Sequence, residues 1–290
     1  MPGMADSIVS ELRPARPYPG FLSAVGLCVV MVALIVVFAG IAFALGKVLP
    51  FKPPQAVLLG VVNTLAVGIV LAWGIRSSEA GWREVLPLRS FSAALLGPIL
   101  LSVAGLLMVS VGWLQVQQRF LPTPKFVEKA LQDILAGGFF SFVLLCVIAP
   151  LTEECLVRGL FLRGFLMRYG ATRAVLCSAL LFSALHMNLA QLAPTLMMGS
   201  MFAWWRLRTN SLLPGMLGHA LNNAVPVTVV MLLHTQKEPS TSSPLFQAVS
   251  VCVGLVTLAV GVVWMNRETM TLAEAVGNTP APSADHAILD

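Results

Sequence analysis

Pro150-Leu151-Thr152-Glu153-Glu154-Cys155-Leu156-Val157-Arg158-Gly159 puts two adjacent carboxylates and an arginine inside hydrophobic surroundings. An apolar run, residues 137–149, leads into it, and a second apolar segment with spaced arginines follows. A charge at membrane depth costs roughly 2.5–3.5 kcal/mol even on the lenient insertion scale, so such groups are functional candidates by default.

The rest of the chain makes membrane depth the right frame. Of its 290 residues 57% are hydrophobic and 11% charged, against about 25% charged in soluble domains. About 20 apolar residues cross a bilayer core. Runs of that kind fall at 21–45, 55–75, 92–114, 137–169, 172–189, 191–207, 212–233 and 244–265. The expected fold is all-α: a polytopic transmembrane bundle of about eight helices. Residues 1–20 read as an N-terminal segment, 21–265 as the transmembrane domain, and 266–290, with Pro280 and Pro282, as a polar tail expected to be disordered. The first run is too long for a signal-peptide core of about 7–15 residues. Residues 115–133 read as a surface loop with a short amphipathic helix.

Charge and cysteine content narrow the function. The net charge of +5 reflects loop anchoring, and no basic, aromatic patch of the nucleic-acid-binding kind is present, so nucleic acid is not an expected partner; the lipid bilayer is. Arginines gather in loops on the side of Arg16, Arg76, Arg83, Arg89, Arg206 and Arg208, which places both termini in the cytoplasm. Short loops and a compact chain suggest a bacterial inner (plasma) membrane. Cys28, Cys146, Cys155, Cys177 and Cys252 are odd in number and lack a C-x-x-C pair, which speaks against a disulfide framework or a thiolate metal site.

The polar groups left at membrane depth are few. Glu154 and Arg158 lie four apart, share a helix face and can pair. Glu153 lies about 100° round the helix and is freer to take a proton from water as a general base. Alone, this pattern equally suits a structural ion pair. Phe182 and His186 repeat the four-residue spacing; an imidazole there can orient a water, bind a metal, or tie two helices together. His219 and Asn223 repeat it again, with Asn222 nearby as a weaker candidate; a histidine beside a carboxamide offers donors to an oxyanion or a polar clasp between helices. Their conjunction matters most. Two carboxylates, two histidines and an amide on three helices avoid a large desolvation cost by meeting in one cavity, and they supply the parts for amide hydrolysis.

Glu153-Glu154-x-x-x-Arg158, Phe182-x-x-x-His186 and His219-x-x-x-Asn223, in that order, resemble the three-motif signature of the CPBP family, the CAAX proteases and bacteriocin-processing enzymes also called Abi, which includes the type II CAAX prenyl endopeptidases. The resemblance covers about residues 136–230; the first three helices agree only in being hydrophobic. It implies an intramembrane endopeptidase acting on a peptide or membrane-protein segment. Glu153 or Glu154 with His186 would activate a water, and His219 with Asn223 would form the oxyanion hole. The family is often labelled metalloprotease, and Glu153, Glu154, His186 and His219 are donor types that suit zinc. There is no H-E-x-x-H, however, and a glutamate-activated water needs no metal, so no cofactor is favoured. A non-proteolytic membrane scaffold or immunity-type protein of the same family is the alternative.

Overall fold

The structure, a computed structural model, describes residues 16–48, 53–233 and 243–277. The expectations for residues 1–15 and 278–290 lie outside the described residues. Among the described residues there is no strand and there are ten helices: α1 (Phe21–Val48), α2 (Gln55–Ser78), α3 (Trp82–Val85), α4 (Leu96–Phe120), α5 (Lys125–Leu135), α6 (Phe139–Arg168), α7 (Ala171–Leu185), α8 (Leu192–Thr209), α9 (Leu213–Leu233) and α10 (Pro244–Gly277). Six of them, α1, α2, α4, α6, α9 and α10, are long and apolar enough to cross a membrane. α7 has 15 residues, about 22 Å at 1.5 Å per residue, short of a hydrocarbon core of about 30 Å. The eight apolar runs thus appear as eight long helices, of which six are of spanning length and character. The two additional helices are short: the four-residue α3 and the amphipathic α5.

Several boundaries differ from expectation: α4 runs past 114 to Phe120, into the stretch read as a surface loop, and two others have local causes. The tail expected to be irregular from residue 266 continues the last helix to Gly277. It lacks proline until Pro280, Trp264 Nε1 donates to Glu268 one turn on (3.0 Å), and Leu272 packs on the core. α7 stops at Leu185 rather than running to residue 189. The carbonyl of Phe182, which the next helical N–H would have taken, meets the ring Nδ1 of His186 instead (2.9 Å), and Met187 adopts φ 47°, a left-handed conformation that ends a helix.

α6 is the centre of the bundle. Every residue from 156 to 165 is buried, as expected of a helix surrounded on all sides. It is not a regular α-helix. Residues Leu144–Ile148 and Cys155–Phe161 are π-helical, with Ala149 N–H bonded to Leu144 O and Leu162 N–H to Val157 O, each five residues back. Single π-turns inside α-helices occur often at functional sites. At the periphery, α4 and α10 pack along a glycine seam. A Cβ on Gly254 would stand 2.7 Å from Val109 N and 2.9 Å from Gly105 O; one on Gly112 would stand 2.9 Å from Gln247 O. Small residues of this kind let membrane helices approach backbone to backbone.

Candidate active site

The first π-turn explains much of the local chemistry. Pro150 has no N–H. Ala149 N–H is committed to Leu144 O, so Leu145 O is left without either helical donor. Asn223 of α9 supplies the missing one: its Nδ2 donates to Leu145 O at 2.8 Å. A proline in the opening stretch therefore creates a vacancy that an asparagine 78 residues away fills.

One turn further on lies a buried ionic cluster. Glu154 and Arg158 are 0% and 1% exposed, and Arg158 Nη1 donates to Glu154 Oε1 at 2.9 Å. The same Glu154 oxygen accepts from Nδ1 of His219, itself 2% exposed, at 3.0 Å. A carboxylate only accepts, so His219 carries a proton on Nδ1 and turns Nε2 towards Glu153, whose Oε2 lies 3.9 Å away. Arg158 is further held by Gly199 O (3.4 Å) and by the Phe182 ring, 4.2 Å from guanidinium carbon to centroid. Such a cation on a ring face is worth about 2 kcal/mol when desolvated.

The two glutamates therefore differ in kind. Glu154 is fully buried and shared between a guanidinium and an imidazole. Glu153 is 32% exposed, and its Oε2, though shielded, has no hydrogen-bond partner. His186 is half-buried. Its Nδ1 faces a carbonyl, which only accepts, so Nδ1 holds the proton and Nε2 presents a lone pair. Phe182 touches both imidazoles edge-on, with centroids 4.9 Å from His186 and 5.7 Å from His219. Asn222 donates weakly to Asn223 Oδ1 (3.4 Å), and its own Oδ1 is buried without a partner.

The six candidate catalytic residues, Glu153, Glu154, Arg158, His186, His219 and Asn223, thus fall on α6, on α9 or at the end of α7, and Glu153, Glu154, Arg158 and His219 form one connected group. Other contributors escaped the sequence reading. Gly199 acts through a backbone carbonyl, which leaves no side-chain signal. Phe202 packs 5.9 Å from the His219 ring. Gly215 gives Glu154 room: a Cβ there would sit 3.1 Å from Glu154 Oε2. The spacing Gly215-x-x-Gly218-His219 was a legible clue to that close approach. Asn63 of α2 donates to Thr152 beside Glu153 (3.4 Å). Among the described residues, no three His, Cys, Asp or Glu side chains are arranged to hold a metal ion; the carboxylate with the most contacts, Glu154, already faces a guanidinium.

Residues 135–225, which contain all of these motif positions, match the family model for Rce1-like type II CAAX prenyl endopeptidases. The motif core is Rce1-like. This match supports assignment to the CAAX-protease, or CPBP, family, and with six apolar helices it marks an integral membrane protein. An "Uncharacterized 24.3 kDa protein" of Escherichia coli is 33% identical over 102 residues, 33% of this chain and 45% of that protein. The chain therefore spans less than half the length of that curated relative. No solved structure matches. The Rce1-like core begins where α5 ends and runs into α9, so it includes the irregular α6, α7 and the α8 that carries Gly199 and Phe202.

Proposed function

We propose that this protein is an intramembrane endopeptidase in which Glu153 is the general base. The observation that carries the reading is the division of labour between adjacent carboxylates: Glu154 is shut off from solvent with Oε1 held by both Arg158 and His219, whereas Glu153 is 32% exposed and makes no hydrogen bond at Oε2, beside His219 Nε2; Glu154 Oε2 is also unpartnered but buried. Glu153, with the His186 Nε2 lone pair, takes a proton from a water as its oxygen attacks the scissile carbonyl. The tetrahedral oxyanion receives a hydrogen bond from the remaining amide hydrogen of Asn223 and a second from His219 Nε2 when that nitrogen carries a proton. Glu153 then delivers its proton to the departing amine, leaving an acid and an amine. Arg158 and Glu154 touch no substrate; they fix His219 in place. No step of this reading requires a metal, because a carboxylate suffices to activate the water. The substrate is a peptide or membrane-associated protein segment, cleaved near the cytoplasmic face of a bacterial inner membrane, with both termini of this protein on that side.

The same buried network supports a second reading, a non-proteolytic scaffold. The Glu154–Arg158–His219 and Asn223–Leu145 bonds would tie helices together with no chemistry involved. Purified protein incubated with a fluorogenic farnesylated CAAX peptide, its unprenylated counterpart and a hydrophobic peptide library separates the two. Cleavage lost in Glu153→Gln at unchanged thermal stability supports the enzyme. No cleavage by the wild type, or cleavage indifferent to Glu153→Gln and His186→Ala, overturns it.

A further inference from the structure

Away from the Glu153 cluster, a second group of charges has no internal counter-ion. Arg206, in the last turn of α8, is half-buried. Its Nη1 donates to Asn210 Oδ1 at 2.8 Å, but its Nε is shielded and has no partner. The positive charge of Arg89 lies close enough to act on it. The juxtaposition is built in, because Ser211 Oγ donates to Arg89 O at 2.5 Å and Leu212 N–H to Pro87 O at 2.9 Å, lashing the loop after α3 to the α8–α9 turn. Among the described residues no carboxylate pairs with either guanidinium. The acids of this end are engaged elsewhere: Glu79 with Arg16 (2.9 Å), Glu84 with Arg163 (3.0 Å), and Glu268 with Trp264 (3.0 Å). Two guanidinium charges brought to one turn repel unless an anion screens them, and the guanidinium fork matches phosphate oxygens.

We propose that Arg89 and Arg206 form a binding site for the phosphate of an anionic phospholipid. The level of the site argues for a lipid rather than a free anion. Trp82 of α3 and Trp204 of α8 lie on the two elements that carry the chain to Arg89 and Arg206, with Arg83 and Arg208 over their rings at 5.2 and 5.8 Å, and tryptophans gather at the membrane–water interface. Basic pockets between helices at that level bind acidic headgroups. The inference does not depend on the endopeptidase reading.

The test is retention of phosphatidylglycerol by the full-length protein in detergent, measured by native mass spectrometry against phosphatidylcholine. Wild type retains phosphatidylglycerol preferentially. Arg89→Glu supplies Arg206 with an internal carboxylate and weakens retention by about fivefold or more, whereas Arg208→Gln behaves as wild type. Thermal unfolding is followed in parallel. Should Arg89→Glu fail to fold, Arg89→Gln at this exposed position carries the same test. Millimolar inorganic phosphate should leave retention unchanged; displacement by it would make the site one for a free anion and overturn the lipid assignment. Undiminished retention in the Arg89 variant, or equal loss in Arg208→Gln, overturns the site itself.

Discussion

At the scale of single residues, adjacent glutamates of the same type should give opposite phenotypes. Glu154 faces Arg158 with both side chains shut off from solvent. Removing one partner of a buried pair leaves an uncompensated charge and costs about 3–5 kcal/mol. Glu154→Gln is therefore expected to lower thermal stability in detergent strongly. Glu153, one-third exposed and without a hydrogen bond at Oε2, has little structure to lose. Glu153→Gln should leave the unfolding temperature near wild type while peptidase turnover falls by about 10²-fold or more, the usual contribution of general base catalysis. A reversed pattern, with Glu153→Gln unstable and Glu154→Gln stable, would exchange the two roles. Metal stripping probes the same residues from another side. With the donors arranged as they are, exhaustive chelation should not change turnover; a loss restored only by added zinc would contradict the metal-free mechanism.

At the scale of elements, α6 and α9 are joined by a consequence of one proline. Pro150 frees Leu145 O, and Asn223 caps it at 2.8 Å. Pro150→Ala restores an N–H that can bond back along the helix, so the Asn223 contact becomes less necessary. Asn223→Ala should then destabilise the Pro150→Ala protein less than the wild type. The coupling expected for residues sharing one network is about 0.5–3 kcal/mol, read from a double-mutant cycle of unfolding free energies. Additive effects would mean that the contribution of Asn223 does not depend on the vacancy Pro150 creates. This bond also shows where sequence reading stops. The Glu154–Arg158 pairing was legible because four-residue spacing puts both on one face, and it stands at 2.9 Å. Apolar runs placed the long helices because bilayer thickness dictates their length. The π-turns left no periodic mark, since a single extra residue shifts a helix phase without changing its composition. The His219–Glu154 contact spans 65 residues, and only packing decides it. The early end of α7 depended on a ring nitrogen choosing a carbonyl, a choice invisible in an apolar run.

At the scale of the whole molecule, polarity is concentrated at the centre and held there by an apolar periphery that gains nothing from hydrophobic burial, because lipid tails are as apolar as leucine. α10 shows how such a helix is retained. Its outer face exposes Val249, Val253, Val256, Val260 and Val263, while its inner face meets α4 through Gly254, with Gly105 and Gly112 opposite. The attraction is dispersion at backbone contact distance, and it depends on the absence of side chains. Gly254→Leu would force a Cβ to 2.7 Å from Val109 N and 2.9 Å from Gly105 O, and backbone atoms, unlike a flexible side-chain tip, cannot swing aside. The helices must separate along the seam, at a cost of about 1–3 kcal/mol for overpacking, seen as a lower unfolding temperature in nanodiscs. The hydrogen bonds of Glu154, Arg158, His186, His219 and Asn223 run among α6, α7, α8 and α9, so turnover measured well below the transition should remain near wild type. Loss of turnover without loss of stability would show that α10 is coupled to the site, and unchanged stability would show that the seam is looser than its backbone distances imply.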